Sequence, residues 1–102
     1  MLNTFDVECP VTFADDVAPE AQVRFRKTMG GRPGWMAALP VVRWSGPREA
    51  LVLFVLREPE GVAEGAICEK ALGQVHEWLA KAGLASESGP APDIGCTAIL
   101  RG

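Results

Sequence analysis

The sequence predicts an α+β domain of the ferredoxin-like split β-α-β-β-α-β class, an antiparallel sheet with two helices on one face. Three observations lead to this fold: an alternating pattern near the amino terminus, a run at residues 50–57 that is apolar on both sides, and an amphipathic helix at residues 63–82. The length of 102 residues, of which 48% are hydrophobic, fits a single α+β domain over residues 1–102.

The alternating pattern predicts the first strand at residues 2–9. Phe5, Val7 and Cys9 would lie on one side and polar residues on the other, as in a strand with one buried face. Pro10 is expected to close this strand.

Residues 15–29 carry mixed signals, and a helix is favoured. A proline falls in its first turn, basic residues come late and a glycine follows. Asp15 and Asp16 are expected to cap its amino-terminal end. The alternation of apolar residues from 21 to 25 also fits a strand, so that alternative stays open.

The remaining elements are a glycine-rich turn at residues 30–34, a short strand at 41–44, a turn at 45–48, a buried strand at 50–57, a helix at 63–82, a loop at 85–93 and a last strand at 94–100. The helix is the clearest of these, because its apolar residues fall within an arc of about 140°. Val75, Trp78 and Leu79 of this arc are expected to be buried against the sheet. The strand at residues 50–57 is expected to lie at the centre of the sheet, because both of its sides are apolar.

The three cysteines, Cys9, Cys68 and Cys96, predict a reduced chain. They are too few for a disulfide scaffold, and an odd number cannot all pair within one chain. Cys9 and Cys68 fall on apolar faces, which is typical of small core side chains. The start of the chain lacks a signal-peptide pattern, and the longest apolar run is far shorter than the roughly 20 residues that span a bilayer. A cytoplasmic protein without a membrane segment is expected.

Few residues suggest catalysis, and neither a metal nor a cofactor is expected. The cysteines are separated by 59 and 28 residues and the chain has one histidine, so no metal-ligand spacing is present. His76 lies at the border of the apolar arc, a position typical of a structural histidine. The glycine-rich turn at residues 30–34 matches no phosphate-binding motif. A non-enzymatic role is favoured, and the question of an enzyme is left open.

The charges are strongly segregated along the chain. Residues 24–48 carry six basic and no acidic side chains, whereas the rest of the chain sums to −9. The six are Arg24, Arg26, Lys27, Arg32, Arg43 and Arg48. Aromatic residues accompany them, which suits an anionic partner such as an acidic protein surface, a nucleic acid or a small anionic ligand.

Four residues of this segment are the predicted ligand contacts: Arg24, Lys27 and Arg32, with Trp35 as the stacking neighbour. The competing interpretation is that helix-end cations and outward strand residues coincide in sequence without sharing a surface.

Three functional hypotheses follow. The first is a binding module, expected to be a homodimer because the strand at residues 50–57 also offers large apolar residues to the face that the helices leave open. The second is a small dimeric α+β-barrel enzyme or small-molecule-binding protein, with a pocket between sheet and helices lined by Trp35, Trp44 and His76. The third is a subunit of a larger assembly.

Overall fold

The computed structural model describes residues 2–31, 34–85 and 91–101. The elements are β1 (Leu2–Thr12), α1 (Pro19–Thr28), β2 (Val41–Gly46), β3 (Glu49–Pro59), α2 (Glu64–Lys81), β4 (Asp93–Ile94) and β5 (Thr97–Leu100). The chain is an α+β structure with an antiparallel five-stranded sheet and two helices. The turn predicted at residues 30–34 and the loop predicted at 85–93 lie partly outside the described residues.

The two long strands, β1 and β3, form the centre of the sheet. They pair antiparallel over all 11 residues of each strand. β2 pairs with the outer edge of β3, and both β4 and β5 pair with the other edge of β1. One register relates β1 to both short strands, because Thr12 faces Asp93 and Phe5 faces Leu100. β4 and β5 are therefore collinear along β1.

Pro10 lies within β1 and explains the break between β4 and β5. The prediction that Pro10 closes the first strand is wrong, since β1 continues to Thr12. Gly95 N–H donates to the carbonyl oxygen of Pro10 at 2.9 Å, but proline has no N–H with which to return the bond. The strand predicted at residues 94–100 is consequently interrupted at its contact with Pro10.

α1 is a helix, as favoured, but it begins later than predicted. Pro19 takes its first position and Ala18 is the N-cap, with no side-chain hydrogen bond to the helix. The prediction that Asp15 and Asp16 cap α1 is wrong, because Asp16 instead accepts a hydrogen bond from Arg48 at 2.7 Å.

α2 lies within one residue of its predicted bounds, and its apolar arc faces the core. Val75, Trp78 and Leu79 are buried, as predicted. Beyond Lys81, Leu84 N–H donates to Leu79 O at 2.9 Å, and the next inner bond runs from residue 83 to residue 80 at 3.1 Å. These two bonds form a Schellman end, which requires the positive φ of +74° found at the glycine of position 83.

The core lies between the two helices and one face of the sheet. β1 contributes every second residue from Phe5 to Val11, and β3 contributes every second residue from Ala50 to Leu56. The Trp78 ring of α2 meets Phe54 edge-on, with centroids 6.2 Å apart. The intervening residues of both strands point to the opposite side of the sheet.

β2 and β3 form a hairpin that is longer than the sequence predicts. β2 continues to Gly46 through a register shift after Trp44, so the turn is confined to Pro47 and Arg48. Trp44 points to the helix side, where its ring stacks on Phe13 with centroids 5.6 Å apart.

Candidate functional site

The side of the sheet that the helices leave uncovered is the candidate site, and we call it the open face. Strand alternation places its members, because every second residue of a strand points to the same side. They are Thr4, Asp6, Glu8 and Pro10 on β1, Val41 and Arg43 on β2, Leu51, Leu53, Val55 and Arg57 on β3, and Thr97 and Ile99 on β5.

Apolar side chains cover the β2 and β3 part of the open face. Leu53 and Val55 of the central strand β3 are half-buried between their neighbours. Val41, which pairs with Leu53, is 49% exposed, and Leu39, just before β2, is 62% exposed. Ile99 on β5 is also 49% exposed, but Asp6 of β1 lies between it and Val55. An exposed apolar patch such as the one on β2 and β3 is typical of an association surface.

A groove of about 400 Å³ crosses the open face. The carboxylates of Asp6 and Glu8 and the guanidinium of Arg43 line it together with apolar side chains. Sites for small ligands combine an apolar lining with a few convergent polar groups in volumes of about 300–1,000 Å³. The groove therefore has the size and the composition of a ligand-binding cleft.

Charges of both signs border the apolar residues. Arg101, just after β5, donates to Asp6 from Nε at 3.1 Å and also from a terminal nitrogen. These hydrogen bonds hold the pKa of Asp6 below its usual value. Glu8, Arg43 and Arg57 are exposed and make no ion pair with another described residue. Arg101 was not predicted, although the alternation that exposes Ile99 also places residue 101 beside Asp6.

Two of the predicted ligand contacts, Arg24 and Trp35, contact α2. Arg24 Nε donates to the carbonyl oxygen of Ala82 at 2.8 Å, at the carboxyl-terminal cap of α2. The half-buried ring of Trp35 carries the ammonium group of Lys70 at 4.7 Å from its centroid. Lys27 is exposed on α1. Arg32 lies outside the described residues, so a role for these four in ligand binding stays a prediction.

The other cations of the basic segment lie on separate surfaces. Arg26 is exposed on α1, and Arg48, in the turn after β2, pairs with Asp16 at 2.7 Å. Arg43 points to the open face, so the sheet separates it from α1. The charge segregation of the sequence therefore does not form one basic surface within the described residues.

A pocket between sheet and helices is found beside Trp44, with a different lining from the one predicted. It has a volume of about 200 Å³ and lies between α1 and β2, with Arg26 at its border. Neither Trp35 nor His76 lines it, and His76 is exposed on α2. The indole N–H of Trp44 is buried without a hydrogen-bond partner among the described residues.

The cysteines depart from the reduced state that the sequence predicts. Cys68 of α2 and Cys96, between β4 and β5, form a disulfide with their Cα atoms 5.7 Å apart. Cys9 is a free thiol, fully buried as predicted, and burial raises its pKa to about 12. The sequence carried part of this signal, because helical periodicity turns Cys68 towards the sheet.

Residues 2–31, 34–85 and 91–101 contain neither a metal-binding cluster nor a membrane-spanning helix. No group of three His, Cys, Asp or Glu side chains there is placed to hold a metal ion. No helix in the same ranges is long and apolar enough to cross a membrane.

Comparison with known proteins adds no assignment to this geometry: no protein-family model matches the chain, and no curated protein or solved structure matches it either.

Proposed function

We propose that this protein is a non-enzymatic binding module that acts as a homodimer through its open face. The observation that carries the proposal is the uncovered apolar area on β2 and β3. Leu53 and Val55 of β3 lie beside exposed Val41 of β2, and exposed Ile99 lies beyond Asp6 of β1. In a monomer these side chains stay in contact with water, whereas a second copy packed on them would remove apolar area from water, which favours association.

The charge pattern of the open face favours a second copy as its occupant. β2 and β1 flank β3 on opposite sides. A two-fold axis parallel to β3, between two facing sheets, would therefore set β2 of one copy over β1 of the other. Arg43 would then lie over the partner's β1 at the level of the partner's Pro10, two residues along the strand from the partner's Glu8, while Leu53 would pack near its own symmetry mate.

The size of the open face also fits a dimer. At about 3.3 Å per residue and 4.8 Å between strands, four strand positions of about nine residues give roughly 600 Å² of projected area. A specific interface buries about 800 Å² on each partner. Side chains that rise from the sheet, together with exposed Leu39 beside β2, add to this projected area.

The finer fold assignment is part of the same proposal. We assign the chain to the ferredoxin-like split β-α-β class, with the last strand divided into β4 and β5. The shared register of these two pieces along β1 supports this assignment, as does the lack of an N–H at Pro10, where they separate. In this class the open face is the side that lies opposite both helices.

The test compares two valine substitutions, each of which places one carboxylate on an exposed position. Val41→Glu changes the open face, and Val23→Glu changes α1, where the valine is 40% exposed. Sedimentation velocity from 1 to 200 µM is expected to give a dimer for the wild type and Val23→Glu, and a monomer for Val41→Glu. A monomeric wild type over this whole range, or an intact Val41→Glu dimer, would refute the proposal.

The groove on the open face favours a second candidate, a dimeric α+β barrel that binds a small molecule. Two facing copies would close the groove of about 400 Å³ into a chamber lined by Asp6, Glu8 and Arg43. The probe is 1-anilinonaphthalene-8-sulfonate, an environment-sensitive dye with an apolar ring system and one sulfonate. A chamber predicts saturable binding that Val41→Glu abolishes. Stronger dye binding by the monomeric variant would instead indicate a plain apolar interface.

The third part of the proposal is an anionic partner that binds the exposed cations of α1. Arg26 and Lys27 are exposed without an ion pair to another described residue. Retention on heparin that falls with salt, and that Lys27→Glu weakens, is the expected outcome. Retention that Lys27→Glu leaves unchanged would contradict this part without affecting the dimer.

A further inference from the structure

Cys9 stands directly opposite Cys96 on the neighbouring edge of the sheet. β1 pairs Glu8 with Thr97 on one side of this position and Val11 with Ile94 on the other. The same register carried through the interval between β4 and β5 brings Cys9 and Cys96 face to face. Residues directly opposite each other in a sheet point to the same side, so both sulfurs lie on the helix side.

The hydrogen bonds around this position define the geometry of the pair. Gly95 N–H donates to Pro10 O at 2.9 Å, and Arg101 N–H donates to Thr4 O at 2.8 Å. Hydrogen-bonded and non-hydrogen-bonded pairs alternate along an antiparallel ladder, so the pair formed by Cys9 is non-hydrogen-bonded. The Cα atoms of such pairs are about 4.5 Å apart, within the range of about 4.4–6.8 Å that a disulfide spans.

Cys96 is at the same time the disulfide partner of Cys68 on α2. The sulfur of Cys96 is therefore flanked by two others, one bonded to it from the helix and one facing it across the sheet. Cys9 is 0% exposed, whereas Cys68 and Cys96 are each partly exposed at the margin of the core.

We propose that Cys9, Cys68 and Cys96 form a three-cysteine exchange site with two alternative disulfides. The Cys9 thiol gives up its proton, its thiolate attacks Sγ of Cys96, the Cys9–Cys96 bond forms and the Cys68–Cys96 bond breaks. Cys68 leaves as a thiolate that takes up a proton, so the net number of bound protons is unchanged. One disulfide is present before and after, so no oxidant or reductant is consumed.

The exchange changes which cysteine carries the free thiol and whether that thiol is exposed. In the observed isomer the free thiol belongs to Cys9, which burial keeps protonated and inaccessible. In the other isomer the free thiol belongs to Cys68 at the edge of α2, and the bond that ties α2 to the edge strand is gone. The Cys68 thiol can then react with a low-molecular-weight disulfide of the glutathione class, forming a mixed disulfide and releasing one thiolate.

The first experiment uses the full chain with Cys68→Ser. The fully reduced variant is exposed to oxidised glutathione under native conditions, its remaining thiols are alkylated, and its peptides are mapped without reduction. The expected product is a Cys9–Cys96 disulfide in protein whose circular dichroism matches the wild type. Two alkylated thiols in that folded protein would overturn the proposal.

The second experiment uses the wild-type protein, in case Cys68→Ser folds poorly. The chain is held in a buffer of reduced and oxidised glutathione and then alkylated and mapped in the same way. Alkylation or glutathionylation of Cys68, together with a Cys9–Cys96 peptide, is the expected result. Cys9→Ser is the matched control and is expected to lose the Cys9–Cys96 peptide while keeping the Cys68–Cys96 link. A wild type that contains the Cys68–Cys96 link alone after equilibration would refute the exchange.

Discussion

The two faces of β3 have similar composition and opposite surroundings. On the helix side, Val52 and Leu56 are 0% exposed beneath α1 and α2. On the open face, Leu51, Leu53 and Val55 are partly exposed. The hydrophobicity of a strand residue therefore does not determine its burial within this chain, because the elements packed above it decide which face is dry.

The two faces of β1, the strand beside β3, differ in polarity, whereas the two faces of β3 do not. β1 places Val7 and Cys9 on the helix side but Asp6 and Glu8 on the open face. Carboxylates are strongly disfavoured in a core unless they are paired. The helix side is thus an intramolecular core, whereas the open face carries carboxylates among its apolar residues and stays partly exposed.

Two leucine substitutions on the same strand test this contrast, and they carry the largest expected effect. Leu56→Ala removes a fully buried side chain and is expected to lower the free energy of unfolding by about 2–5 kcal/mol, from lost burial and the cavity left behind. Leu53→Ala on the open face is expected to cost about 1 kcal/mol or less in the monomer. Urea unfolding followed by tryptophan fluorescence measures both.

Protein concentration separates the folding contribution of Leu53 from its contribution to association. If the open face is a dimer interface, the wild type becomes more stable as protein concentration rises, and Leu53→Ala weakens that dependence. Equal losses for the two leucines in dilute protein would contradict the contrast between the faces.

The sequence predicted which residues face the core because strand alternation and helical periodicity each act within a single element. Alternation assigned Phe5, Val7 and Cys9 to one side of β1, and the helical arc assigned Val75 and Leu79 to the core. The ends of elements were less predictable, because they depend on partners distant in sequence. Asp16 pairs with Arg48, 32 residues away, rather than capping the adjacent helix, and Arg24 is held by the end of α2.

The disulfide gives the next-largest expected effect on the free energy of unfolding, and it lies on the helix side of the sheet. Cys68 and Cys96 are 28 residues apart, and closing a loop of that length stabilises a folded chain by about 3–4 kcal/mol through the unfolded state. Reduction with dithiothreitol is therefore expected to lower the free energy of unfolding by about that amount. Cys96→Ala provides the control, because its stability is expected not to change on addition of the reductant. A reductant effect of similar size in Cys96→Ala would assign the loss to something other than this bond.

This pairing was beyond the reach of composition and spacing. An odd, small number of cysteines argues against a scaffold of several disulfides but leaves one bond undecided. The register that brings Cys96 below α2 depends on the pairing of the last strand with β1, which no local pattern specifies. Local patterns also could not predict the outcome for the basic segment at residues 24–48. Its described cations lie within one stretch of sequence but on different sides of the sheet.

The smallest expected effect is the pH dependence contributed by Asp6 on the open face. Hydrogen bonds from the Arg101 guanidinium lower the pKa of Asp6 in the folded protein. A carboxylate whose folded-state pKa is depressed stabilises the fold at pH values above its unfolded pKa of about 3.9, and this stabilisation is lost as the pH falls through the lowered folded-state value.

Arg101→Gln isolates this contribution, because the backbone N–H of residue 101 still donates to Thr4. The unfolding temperature of the variant is expected to be slightly below that of the wild type at pH 7, and the difference should disappear as Asp6 becomes protonated in strong acid. The measurement is made at low protein concentration and repeated in 1 M NaCl, where screening shrinks the difference for an exposed pair. Asp6→Asn in the Arg101→Gln background is the matched control and should add no further pH dependence from this pair. The prediction is contradicted if the difference in unfolding temperature between wild type and Arg101→Gln grows towards acid pH, because a stabilising ion pair contributes less as Asp6 becomes protonated. Such a result would indicate that holding the Asp6 carboxylate in the folded protein costs free energy.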